Sequence, residues 1–308
     1  MNGLFADLYK TKNQQRINMM HLFNLSSVKS GVITNRPSKT CRSPYVADIK
    51  IEGLEETDEL CHAPALGCCG LSEKGNTVIL SELTNKKVKC SHRIELAVLR
   101  EDRNPDREII IGINPKLGET IAEACLQKNC IDGLTNVQSY RRETKIMNSR
   151  FDFTGIDEKG REFIMEIKSV PLADYVDVPK REKKNYQREI EEAAQDDKIA
   201  YFPDGYRKNS TAVVSPRALK HINELKKIAT TTNKRTILCF IIQRTDVKQF
   251  QPSNIDLIYK SAVIDAWKVG VEIKTLQVDW TKEGECRFVR NDLPICMDEY
   301  CFETDPKK

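Results

Sequence analysis

Two segments, Arg150–Phe153 (R-F-D-F) and Glu166-Ile167-Lys168, flank the turn signal Asp157-Glu158-Lys159-Gly160. Turn residues between two apolar runs read as a β-hairpin. A hairpin centred on Lys159 sets Asp152 opposite Glu166 and Arg150 opposite Lys168. Side chains alternate between faces along a strand, so Phe151, Phe153, Phe163, Met165 and Ile167 are expected on one buried face. Asp152, Glu166 and Lys168 then share the other. Cross-strand neighbours lie roughly 4.5–5.5 Å apart, close enough for two carboxylates to hold one divalent cation beside a lysine.

Facing carboxylates raise each other's pKa unless a cation lies between them. Hard oxygen ligands suit Mg²⁺ or Mn²⁺. Such an ion polarises a phosphoryl oxygen, and a neighbouring lysine stabilises developing negative charge. Together these are the parts of a phosphodiester hydrolase. The same residues also fit a surface salt-bridge ladder. The pattern E-x-K starts at Glu143, Glu166, Glu182, Glu224 and Glu272, and only Glu166 has an aspartate opposite it across a turn.

The chain of 308 residues is long enough for two domains. Its 31% charged residues and net charge of +4 describe a mildly basic protein, compatible with nucleic acid and unlike a polycation. The most strongly apolar run, Ile237–Ile242, is far too short to span a bilayer. No secretory leader is visible at the N-terminus. Eleven scattered cysteines then suggest reduced thiols in an intracellular protein, cytoplasmic or nuclear. Cys61, His62, Cys68, Cys69, Cys90 and His92 lack the paired knuckles of a structural zinc site.

Residues 1–40 read as a polar N-terminal arm. Short strand-like runs fill 41–112, at Tyr45–Ile51, Thr77–Leu80, Ile94–Leu99 and Ile109–Ile111, as in a small barrel. Lys86-Lys87-Val88-Lys89 adds a basic stretch there, with Lys87 and Lys89 as candidate phosphate contacts. Residues 115–130 have helical periodicity. Residues 173–200 form a charged insertion, expected as a solvated helix or mobile loop. Ser215-Pro216 opens a further helix, Ile237–Ile242 reads as a buried strand, and Ser253 or Asn254 caps a helix that stops at Gly270. Val271–Leu276 alternates like a strand, and the chain from Cys286 is irregular. Helices alternating with strands after residue 113 indicate an α/β domain.

Several motifs in order resemble the sugar fermentation stimulation protein (SfsA-like) family. They are His62-Ala63-Pro64-Ala65-Leu66-Gly67, Ile113-Asn114-Pro115, Ser149-Arg150-Phe151-Asp152-Phe153, Glu166-Ile167-Lys168-Ser169-Val170 and Tyr201-Phe202-Pro203-Asp204. Arg217, Lys220 and His221 follow on one helix, and then Gly270-Val271-Glu272-Ile273 and Leu293-Pro294-Ile295. The likeness covers about residues 41–297. It implies a mixed α/β protein with an OB-fold-like barrel over 41–112 and a PD-(D/E)XK, restriction-endonuclease-like domain over 113–297, before a tail at 298–308.

The resemblance further implies that Asp152, Glu166 and Lys168 form the catalytic triad, with Glu143 as an added metal ligand. It implies DNA as the partner. Arg150, Arg217, Lys220 and His221 are candidate phosphate contacts, and His62, Tyr201 and Asp204 are further candidates. The chain departs from the family at Leu219, where the family has glutamine, and at Ser215-Pro216. A non-catalytic DNA-binding regulator is the rival reading, and a carbohydrate or small-molecule sensor built on the barrel is a third. No membrane partner is expected, and oligomeric state is not legible.

Overall fold

The computed structural model describes residues 19–54, 57–65, 70–84, 88–101, 104–205 and 212–297. Strands β2 (Val28–Asn35), β3 (Val46–Ile51), β4 (Glu59–His62), β5 (Thr77–Glu82) and β6 (His92–Glu101) pair in the order β4-β3-β2-β5-β6. A parallel β4–β6 pairing through Cys61–His92 and His62–Arg93 closes the ring. The result is a five-stranded barrel with the connectivity of an OB fold. Alternate residues of these strands, including Ile33, Ile49, Val78, Leu80 and Ile94, fill it. Strand β7 (Asn104–Gly112) extends the sheet beyond the barrel.

The second sheet has seven strands in the order β1-β16-β15-β13-β10-β9-β8. Its central strands β10 (Glu162–Val170), β13 (Arg235–Ile242) and β15 (Glu272–Trp280) are parallel. Such strands are buried on both faces and read as continuous apolar runs, which is why Ile237–Ile242 stands out in the sequence. Helix α1 (Lys116–Gln127) covers one face, with Leu117, Ile121 and Cys125 packed on Phe163, Met165 and Ile167. On the other face lie α3 (Pro216–Thr231) and α4 (Leu257–Lys268), over Leu238, Phe240 and Ile242. The Ser215 hydroxyl accepts from the Ala218 amide, as a serine N-cap should. Asp256 caps α4 in place of the expected Ser253 or Asn254.

The N-terminal region departs from the expected arm. Residues 1–18 lie outside the described part, but β1 (Met20–Asn24) pairs with β16 (Glu285–Arg290) at the edge of the seven-stranded sheet. Strand β2 is the first strand of the barrel, so the barrel begins at Val28 and not at residue 41. Strand β16 also replaces the irregular chain expected from Cys286. Polar residues on the solvent side of these edge strands hide them from a composition reading. The insertion contains β11 (Ala173–Asp174), a 3-10 helix (Lys180–Tyr186), α2 (Gln187–Glu192) and the start of β12 (Lys198–Phe202). Strand β12 lies between β11 and β14 (Val247–Pro252) in a three-stranded sheet. No helix among the described residues is long and apolar enough to cross a membrane.

The barrel is fixed to the seven-stranded sheet at few but tight points. The Gly112 amide donates to the Gln243 carbonyl at 3.2 Å. A Cβ at Gly112 would lie 1.8 Å from Gln243 Oε1 and 2.8 Å from Trp280 Nε1, so only glycine permits this approach. Lys198, almost fully buried, bonds both Glu101 of the barrel and Asp246, the latter at 2.7 Å. Arg107 on β7 pairs with Asp196 of the insertion. Among the described residues Cys41, Cys61, Cys90, Cys125, Cys130, Cys239 and Cys286 are free thiols. Burial pushes the Cys61 thiol up to about 12, as for a packed apolar side chain.

At the start of β13, Arg235 bonds Glu272 through two nitrogens at 2.7 and 2.8 Å and reaches Asp157 at 2.8 Å. Burial alone would raise the Asp157 carboxyl. The Arg161 amide and the Arg235 guanidinium outweigh it and hold the pKa at about 2. A depressed carboxylate stabilises the fold above its unfolded pKa near 3.8 and loses that contribution as pH falls towards 2. Removing one partner from a buried ion cluster costs about 3–5 kcal/mol. Arg235→Ala is therefore expected to lower unfolding free energy by about that amount in urea at pH 7. The deficit shrinks at pH 3, where protonation of Asp157 no longer needs the guanidinium.

Candidate functional site

Strands β9 (Ser149–Ile156) and β10 pair antiparallel from Glu162–Ile156 through Met165–Phe153. This is the register centred on Lys159. The regular pairing ends at that point, and the strands part. The Asp152 carboxylate fills the gap, accepting the Ile167 amide at 2.6 Å through Oδ2. A side chain thus satisfies an amide that the ladder leaves unpaired.

The neighbouring strand deforms at the same level. In the pairing of β8 (Ser139–Ile146) with β9, Glu143 falls opposite Asp152, and its φ is +52°. Left-handed backbone is costly for a residue with a Cβ. At this level the buried faces of β9 exchange. Phe153 packs beneath α1, whereas Phe151 packs beneath α3, 5.8 Å from the His221 ring. Phe151 therefore does not share a face with Phe153, Phe163 and Met165 as strict alternation predicts.

Glu166 is 2% exposed. Its Oε1 receives Lys168 Nζ at 2.5 Å and the Nδ1 side of His221. Its Oε2 is buried with no hydrogen-bond partner among the described residues. Burial works to raise the Glu166 carboxyl, but Lys168 and His221 prevail and hold it below its ordinary value. Asp152 behaves in the opposite way. Burial and then the Glu166 charge raise it to about 7, against the lowering effects of the Ile167 amide and Lys168, and Glu119 adds to the rise. An orphaned carboxylate oxygen and a carboxyl raised by its neighbour are the signature of a pair that a cation would relieve.

These groups line a cavity of about 580 Å³ between barrel and sheet. Tyr45, Pro64 and Ala65 form the barrel wall, and Lys116, Glu119, Asp152, Glu166, Lys168, Asp204 and Arg217 are its charged residues. The cavity lies towards the carboxyl end of β10, where ligands bind in α/β sheets. Four carboxylates face three cations there, although Arg142 pairs with Glu119 at 2.8 Å outside. Among the described residues no three His, Cys, Asp or Glu side chains converge as a ready metal cage. The donor set suits a hard cation whose remaining ligands are backbone oxygen, water or phosphate.

Other sequence-based candidates separate into those near this cavity and those away from it. Arg217 and Asp204 line it. His221 is buried behind Glu166 and is not placed to touch a phosphate. Glu143 is exposed and paired with Arg150 at 2.9 Å, so neither enters the cavity, because the left-handed turn carries them outward. Lys220 bonds the Asn148 carbonyl. Tyr201 is buried and lines a different cavity of about 420 Å³. Lys89 is exposed in the loop before β6, and Lys87 lies outside the described residues.

His62 ends β4, and burial, Arg93 and Lys116 lower its pKa. Sequence reasoning missed Glu119, Lys116 and Tyr45. The first two lie in the opening turn of a helix identified only by its apolar stripe, and nothing local marks Tyr45.

A family model described as the sugar fermentation stimulation protein RE domain (SfsA) matches residues 116–284. A sugar fermentation stimulation protein homolog of Magnetococcus marinus is 30% identical over 231 residues, covering 74% of this chain and 82% of the relative. One from Idiomarina loihiensis is 29% identical over 249 residues, covering 80% and 88%. The solved structure of Pyrococcus furiosus SfsA in complex with Ca²⁺ superposes with a TM-score of 0.68 at 20% identity, over 90% of this chain and 99% of that one. The chain shares the fold of that structure, and with more than half its length matched to the family model it belongs to the sugar fermentation stimulation protein family.

Proposed function

We propose that the protein binds nucleic acid, DNA foremost, and hydrolyses its phosphodiester bonds at the Asp152–Glu166–Lys168 centre with Mg²⁺ or Mn²⁺. The observation that carries this reading is the carboxylate pair itself. Glu166 Oε2 is buried without a partner, and Asp152 beside it is raised to about 7 by burial and by Glu166. A Ca²⁺ complex of the relative from Pyrococcus furiosus supports an oxygen-rich cation site in this fold. The repulsion between Asp152 and Glu166, which raises Asp152, would also oppose a phosphodiester at this point unless a divalent ion lay between them.

Asp152 and Glu166 would hold the ion, and Glu119 is the nearest further acid on the wall. The bound ion supplies Lewis-acid polarisation of a phosphoryl oxygen. His221 and Lys168 fix the Glu166 rotamer by taking Oε1, which leaves Oε2 for the ion. Lys168 Nζ stands beside the charge that develops on phosphorus-bound oxygen and stabilises it. Arg217, on the wall and without an ion pair among the described residues, binds the phosphodiester. Water adds its oxygen to phosphorus and the bond to one flanking sugar oxygen breaks. The products are a phosphate monoester and a hydroxyl.

Two expectations follow from this assignment. Asp152→Asn keeps the hydrogen bond to the Ile167 amide but removes one of two facing charges. The metal-free melting temperature rises in the variant at pH 8, and the increase that Mg²⁺, Mn²⁺ or Ca²⁺ gives the wild type is abolished. A metal-induced shift that persists in Asp152→Asn places the ion elsewhere.

For activity, DNA and RNA oligonucleotides are incubated with Mg²⁺, Mn²⁺ or EDTA. Cleavage requires metal and falls by at least 10²-fold in Lys168→Ala, the scale of losing one charge-stabilising group. Binding survives in Lys168→Ala and weakens steeply with salt. Salt-dependent binding with no cleavage in any metal points instead to a regulator with an inactive centre.

A further inference from the structure

The geometry of the cavity says which form of nucleic acid can reach this centre, an inference that rests on the nuclease reading above. Asp152 and Glu166 do not lie on an open face. They sit in a cavity of about 580 Å³ with the sheet and α1 on one side and Tyr45, Pro64 and Ala65 of the barrel on the other. Cavities of roughly 300–1,000 Å³ enclose drug-sized molecules, which is the scale of one or two nucleotides.

The two walls are tied together. The Gly112 amide bonds the Gln243 carbonyl at 3.2 Å. Lys198 bridges Glu101 of the barrel to Asp246 with all three side chains buried. Lys282, following β15, pairs with Glu108 on β7. Opening the gap means breaking the buried Lys198 ion pairs, which are costly to separate, so the ligand fits the gap as it stands. Duplex DNA is stiff, with a persistence length of about 150 base pairs, and does not bend sharply into a cavity on the scale of one or two nucleotides. It cannot thin itself to enter. A single strand can, and its bases are then free to stack.

An aromatic surface for that stacking is present on the barrel wall. Tyr45 is 45% exposed, stands at the entry to β3 and lines the cavity. Phe202 lines it as well, half-buried. Single-strand channels pair such rings with cations that follow the backbone, and Lys116 and Arg217 lie on the same cavity.

We propose that the centre acts on single-stranded nucleic acid, including the unpaired tail of a duplex, threaded between barrel and sheet with a base stacked on Tyr45. The test uses the full chain with Mn²⁺ on three end-labelled DNAs of one sequence: a single strand, a blunt duplex, and that duplex with an unpaired tail. Single strand and tail are cut, and the blunt duplex at least tenfold more slowly. Tyr45→Ala, a change at an exposed position, raises KM for the single strand about tenfold, the scale of one lost stacking contact, with a smaller change in kcat. Cleavage of the blunt duplex as fast as the single strand overturns the threading proposal and leaves the nuclease reading in place, as does an unchanged KM in Tyr45→Ala. Absence of cleavage of all three DNAs with Mg²⁺, Mn²⁺ and Ca²⁺ overturns both.

Discussion

One hydrogen bond organises the site: the Ile167 amide donates to Asp152 where β9 and β10 part. A hairpin that stayed paired would spend that amide on the ladder. Because the strands separate, a carboxylate occupies the gap, held by the Ile167 amide against the repulsion of Glu166. The separation also lets α3 bring His221 against Glu166 from behind. Burial of the pair, its mutual repulsion and the orphaned Glu166 oxygen all follow from this one divergence in the sheet.

Much of this geometry was legible in the sequence, for definable reasons. Turn residues at 157–160 fixed the hairpin centre, and a period of two then placed Asp152 level with Glu166. The observed register agrees from Glu162–Ile156 to Met165–Phe153, and the strands part before Asp152 and Glu166. Alternation failed where backbone conformation departs from ideal strand geometry. Glu143 at φ +52° carries no glycine or asparagine signal, so the exchange of faces that sends Phe151 beneath α3 was not visible. The same turn removes Glu143 from the site, although its identity as an acid upstream of the S-R-F-D-F segment made it an obvious candidate ligand.

Long-range partners were the other limit. His221 reads as a helix-face residue beside Arg217, and its contact with Glu166 spans 55 positions. Strand β1 closes the seven-stranded sheet by pairing with β16, more than 250 residues away, with Leu22 as its only buried residue. Pairing between distant edges leaves little trace in local periodicity. The barrel, whose strands are separated by short turns and fill one core, was legible in kind but began at Val28 because β2 is only partly buried.

The chain contains its own control for the meaning of E-x-K on a strand. Glu272 and Lys274 on β15 share the residue types of Glu166 and Lys168 on β10 and belong to the same sheet. Around Glu272 every charge is answered: Arg235 takes both carboxylate oxygens and Lys274 lies 3.3 Å away. Around Glu166 the cations approach one oxygen only, and a second carboxylate, Asp152, is close enough for the Glu166 charge to raise it. The first arrangement is a closed ion cluster that holds the strand starts together. The second is an incomplete one at the opposite, carboxyl end of the strands, opening on a cavity. The same motif thus meets different surroundings: arginine takes both oxygens of Glu272, whereas Glu166 keeps one oxygen unpartnered and raises the Asp152 carboxyl near it.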